Sequence, residues 1–148
     1  MSDEGPWFSI HYTLDDQCWG YLIEHADDGV YSYRVEDRWV VPSFRRFEHA
    51  SLFARQFPGA PQLERGGSYD LSAVHAYATQ SEGAPPDTVE DAWWFLLDVA
   101  DAGEDDALLE GPEEAADPRQ ALVACFAAFH RAVLHLDVDA AKHLWAPG

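Results

Sequence analysis

The sequence predicts an α+β domain, a four-stranded antiparallel meander over about 8–41 packed against about five helices within 47–146. Three observations predict it. Aromatic and β-branched runs broken by short polar pieces fill the N-terminal third, and apolar residues at helical spacing fill the remainder. The third is size: 148 residues, 47% of them hydrophobic, suit a single domain, 1–148, with one proper core.

The strands are FSIHYT (8–13), CWGYLIEH (18–25), VYSYRV (30–35) and RWVV (38–41), parted by LDDQ, ADDG and ED. Links this short join antiparallel neighbours. Alternation groups Phe8, Ile10 and Tyr12, then Trp19, Tyr21 and Ile23, then Tyr31, Tyr33 and Val35, then Trp39 and Val41, so one strongly aromatic face is expected beneath the helices. Pro42 is expected to end the sheet. A first helix follows at 47–57, with Phe47, Leu52, Phe53 and Phe57 as its apolar stripe and Pro58-Gly59 as its stop. Asp70 is placed to cap a second, 71–79. Asp87 and Glu90 have capping-box spacing before a third, 88–102, which Gly103 ends. Asp117, Pro118 and Gln120 give the clearest start in the chain, opening a long core helix over 119–136. Asp137 is placed to begin a last short helix, 138–145.

Charge is distributed unevenly. The formal net charge is −18, and no Lys or Arg occurs between Arg65 and Arg119. Residues 66–118 carry fourteen acids and no base, whereas 1–65 carry six bases and eleven acids and 119–148 three bases and two acids. Such a field repels phosphates, which excludes direct nucleic-acid binding as the expected function, and it steers cationic proteins instead. Acidity with a single Lys also suits a halophile, but solvent adaptation spreads evenly over a surface and this charge does not. No apolar run reaches membrane-spanning length, and MSDEGPWFSI has no basic stretch leading an apolar one, so no membrane association and a cytoplasmic location are expected.

Candidate chemistry is sparse. His130, His135, Asp137, Asp139 and His143 are close in sequence, but His130 and His135 lie five apart, about 140° around a helix, so no metal site is expected. Cys18 and His11 fall opposite one another in the first hairpin. The turn acids Asp15 and Asp16 would raise that thiol and weaken it as a nucleophile. Phosphate-cradling and nucleophile-elbow motifs are absent, so neither a catalytic residue nor a cofactor is expected. What remains is the acidic segment, read either as a solvated loop that keeps the protein soluble or as an acidic docking surface for a basic protein partner: Glu90, Asp91, Asp98, Asp101, Glu104, Asp105, Asp106, Glu110, Glu113 and Glu114, with Trp94 and Leu109 as apolar anchors, spread over the third helix and an acidic loop at 103–117. One of Trp93 and Trp94 belongs to the core, and the other is either partly buried or exposed as an anchor on that surface.

In its size, its acidity, its aromatic N-terminal strands (CWGYLIEH, VYSYRV, RWVVPSF) and its acidic stretch at 98–117, the chain resembles the small single-domain immunity proteins that bacteria encode beside polymorphic or contact-dependent toxins. The resemblance implies an inhibitor that occludes a toxin with a basic surface and carries no catalytic residue of its own. Its alternatives are a small enzyme or ligand-binding domain, with an aromatic pocket of Tyr21, Tyr31, Tyr33 and Trp39 between sheet and helices, and a subunit of a larger assembly, a homo-oligomer included.

Overall fold

A computed structural model describes residues 6–16, 18–25, 29–57, 62–80, 83–104 and 109–136. Strand β1 (Trp7–Thr13) and strand β2 (Trp19–His25) form the first hairpin, with Ile10 opposite Leu22 and Tyr12 opposite Gly20. Its turn is tightened by Asp15, whose carboxylate accepts from the Cys18 N–H at 2.8 Å. The expected third strand divides: β3 (Gly29–Val30) pairs with β2, and β4 (Tyr33–Val35) pairs with β5 (Arg38–Phe44). At the break the Tyr31 ring packs on Phe57 and Phe53, at centroid distances of 4.8 and 5.8 Å.

Two more strands complete a seven-stranded mixed sheet and replace the expected meander. Strand β6 (Leu63–Asp70) runs parallel to β1, and β7 (Val133–Leu136) runs parallel to β5. The backbone of the sheet has the order β4-β5-β2-β1-β6. Pro42 does not end β5. It sits opposite Leu134, because proline removes one donor but keeps an extended backbone, and β7 holds the strand to Phe44.

The helices are α1 (Phe47–Ala54), α2 (Ser72–Thr79), α3 (Val89–Ala102) and α4 (Pro118–Ala132). Helix α4 starts as its sequence requires, with Asp117 accepting from the Gln120 N–H and Pro118 in the first turn. It stops four residues earlier than expected, where Val133 turns extended to pair with Val41. Asp70 accepts from both the N–H and the hydroxyl of Ser72. The capping box at Asp87 does not form; Thr88 occupies the cap position of α3 without a side-chain bond. The expected helix at 138–145 lies outside the described residues.

Helices cover both faces of the sheet, not one. Residues facing each other across a ladder share a side. Ile10, Tyr12 and Leu22 therefore point together, under Val74 of α2, Trp93, Phe95, Leu96 and Val99 of α3, and Leu122, Phe126 and Phe129 of α4. Tyr21 and Ile23 point the opposite way, joining Trp7, Tyr31, Phe44 and Leu63 under Ala50, Phe53 and Ala54 of α1. The single aromatic face thus becomes two. Among the described residues no helix is long and apolar enough to cross a membrane.

Candidate interaction face on the third helix

Helix α3 buries Ala92, Trp93, Phe95, Leu96, Val99 and Ala100 against the sheet and α4. At 3.6 residues per turn, the positions left outside are Asp91, Asp98, Trp94, Asp101 and Glu90, in that order across an arc of about 100°. All five are exposed. The tryptophan pair divides cleanly: Trp93 is 4% exposed and donates its indole N–H to the Glu110 carbonyl at 2.9 Å, while Trp94 is 46% exposed. An exposed indole therefore stands in a stripe of carboxylates, two on either side of it.

Those carboxylates are crowded by more than their own helix. Burial and then the charge of Asp101 raise the Asp98 carboxyl above its ordinary range. Glu24, brought from β2, is raised by burial and then by Asp98. The Tyr69 hydroxyl, from β6, is raised by burial and then by Glu24, Asp91 and Asp98. Asp101 also falls in the last turn of α3, with Glu104 just beyond it and no basic residue there, at the end where a helix dipole disfavours anions.

The arginines whose side-chain partners are defined are engaged elsewhere. Arg119 donates to the carbonyls of Tyr77, Gln80 and Gly83 and lies over the Tyr77 ring at 4.3 Å. Arg38 donates to the Arg131 carbonyl and Arg34 to that of Glu36. Arg65 stands 4.0 Å above the Phe47 ring, and Arg45, over the Trp19 ring, donates to the Trp19 carbonyl. Glu90, Asp91, Asp98, Asp101 and Glu104 form no ion pair among the described residues.

The remaining expected contact residues scatter in character. Glu110 and Glu113 are exposed, and Glu114 is exposed while its carboxylate accepts from the buried Gly111 N–H at 3.1 Å, which orders the turn. Leu109 is half-buried and packs against the domain's own core. Asp105 and Asp106 lie outside the described residues. Glu24 and Tyr69 were missed by sequence reasoning, because they sit in strands far from the acidic stretch and only the fold brings them beside α3.

No family model matches the chain, and neither does any curated protein or solved structure.

Other groupings expected from the sequence come out differently. Cys18 is buried beside Tyr12, and its thiol is raised by burial first and by Asp15 second. His11 instead packs at a tilt against Tyr21, with ring centroids 4.9 Å apart and its Nδ1 3.4 Å from the Ser68 hydroxyl. The four aromatics of the expected pocket do not gather around a cavity. Tyr31 and Tyr33 stack on each other and meet Phe53 edge-on and tilted, Tyr21 meets Phe47, and Trp39 lines a separate hollow with Arg38 and Arg131. Of the imidazoles near the C-terminus, His130 lies in the last turn of α4 and His135 in β7, while His143 lies outside the described residues. Among those residues no three metal-binding side chains converge.

Proposed function

We propose that this is a non-enzymatic binding protein that docks a cationic protein surface on the outer face of α3, and that it acts as an immunity protein occluding a toxin with a basic cleft. One observation carries the docking: Trp94 stands exposed within a stripe of carboxylates that form no ion pair among the described residues. Asp101 crowds Asp98 and, with Glu104, stands at the C-terminal end of the helix, where anions are disfavoured, and a basic partner relieves that repulsion as it binds. The charge supplies steering and the indole supplies desolvated apolar contact, the two components of a fast, specific interface. The toxin assignment rests on the resemblance of the chain to acidic immunity proteins.

The test is a comparison of association kinetics. Wild type, W94A and a variant with Glu90, Asp91, Asp98 and Asp101 changed to Gln or Asn are measured against the partner captured from the source organism. Neutralising the four acids is expected to slow association roughly tenfold at low salt, with the gap closing as salt rises. W94A is expected to act through the dissociation rate. Unchanged association of the fourfold variant at low salt overturns the reading.

A further inference from the structure

Beside the acidic stripe lies a cleft of ≈ 210 Å³ walled by Tyr77, Pro85, Val89, Trp93, Pro112 and Pro118, with Glu90 as the one charged group in its lining. That volume is below the ~300 Å³ at which small-molecule sites usually begin, and it suits one side chain. The walls are held in place before anything binds. Three are prolines, whose rings fix the backbone. Trp93 is tied to the Glu110 carbonyl through its indole N–H. Tyr77 lies under Arg119, whose guanidinium also gathers the carbonyls of Tyr77, Gln80 and Gly83. A preformed pocket that needs no ordering is where an interface concentrates its energy.

Resting on the reading of α3 as the docking face, we infer that this cleft receives a lysine or arginine side chain from the partner. The aliphatic stem packs between the prolines, Val89 and Trp93, and the cationic head meets the Glu90 carboxylate. Four features select this occupant. Glu90 belongs to both the cleft and the acidic stripe, so the two form one continuous surface. No described residue pairs with that carboxylate. An anionic occupant is opposed: α3 and α4 both begin here, but their N-termini bring only about half a positive charge each, and the guanidinium of Arg119 on the Tyr77 wall is committed to the carbonyls of Tyr77, Gln80 and Gly83. Asp117 already caps α4 and Pro118 contributes no N–H, while Glu90 and Asp91 load the first turn of α3. A purely apolar side chain would leave Glu90 partly desolvated against it without a partner.

The inference is tested by NMR titration of the full chain with Nα-acetyl-lysine amide, Nα-acetyl-arginine amide and the neutral analogue Nα-acetyl-norleucine amide. The cationic probes are expected to shift the Trp93 indole N–H and the Val89 and Tyr77 amides, and to bind about tenfold more tightly than norleucine, the difference a charge-assisted contact supplies. E90Q should abolish that preference while leaving the spectrum otherwise native. Equal binding of norleucine and lysine, or shifts confined to Asp98 and Asp101, would overturn it. A lysine-rich peptide is titrated in parallel at low salt. If it binds the face of α3 without moving the Trp93 indole, the cleft assignment fails and the docking face stands. If it does not bind at all, the docking face itself fails.

Discussion

Asp98 shows at one residue how the acidic face acts on the fold that carries it. Its carboxyl is raised by burial and by Asp101, so the folded state disfavours the charged form. A carboxylate raised on folding lowers stability wherever it is ionised, that is, above its folded pKa. The penalty disappears as pH falls below the unfolded value, about 3.9 for Asp. D98N should therefore stabilise the domain at pH 7, and the gain should fade as pH approaches ~4. Because Asp98 is exposed to screening, the gain should be below about 1 kcal/mol. Denaturant midpoints at pH 7 and pH 4 measure it, and a loss of stability at pH 7 would show that Asp98 has a structural role. His135 works in the opposite sense: burial lowers its pKa, so its contribution is present at neutral pH and lost as pH falls through its ordinary range near 6.5. A midpoint for the wild type alone would mix the two, so the variant has to be compared with wild type at each pH.

Among the elements, α4 has the most local start signal. Asp117 accepts from the Gln120 N–H at 3.3 Å and Pro118 pre-sets the first turn. D117A should cost about 1 kcal/mol, read as a lower denaturant midpoint with an unchanged slope. Signals of this kind, together with helical spacing, made all four described helices and the first hairpin legible in the sequence. What was not legible depended on partners distant along the chain. LERGGSYD has two glycines and almost no alternation, and becomes β6 only because β1 offers it a free edge; its Gly66-Gly67 pair lies opposite Ile10 alone, a bulge between Ser9 and His11. VLHL is apolar at both helical and strand spacing, and its pairing with Val41–Phe44 decides for β7. The facing of the strands was misread for the same reason: alternation shows that residues share a side within a strand, while register across the ladder decides which sides match. The acidic stripe on α3 was legible from spacing alone. The addition of Glu24, Tyr69 and the proline cleft was not, since β2, β6, α2 and the 109–117 segment meet α3 only in the folded chain.

At the scale of the whole molecule the sheet separates two unlike layers. Arg46 and Arg55 flank α1, and Arg65 leans on Phe47 there, whereas α3 and the segment after it belong to the stretch 66–118 with fourteen acids and no base. A field of this kind has a signature in salt that separates recognition from halophilic adaptation. Repulsion among exposed carboxylates is screened over a Debye length, about 8 Å at 0.15 M and about 3 Å at 1 M. If the charge is a regional docking field, adding sodium chloride to a low-salt sample should raise Tm by a few degrees up to roughly 0.3 M, after which little repulsion is left to screen. A D98N/D101N variant should begin with a higher Tm and gain less from salt, because these two carboxylates repel each other and Asp101 stands in the last turn of the helix. An acidic surface adapted to brine would respond differently, with Tm continuing to climb through molar salt in wild type and variant alike. Differential scanning calorimetry of both proteins from about 0.02 to 2 M salt distinguishes the cases. A steady rise shared by both would assign the acidity to solvent and remove the electrostatic support for a cationic partner.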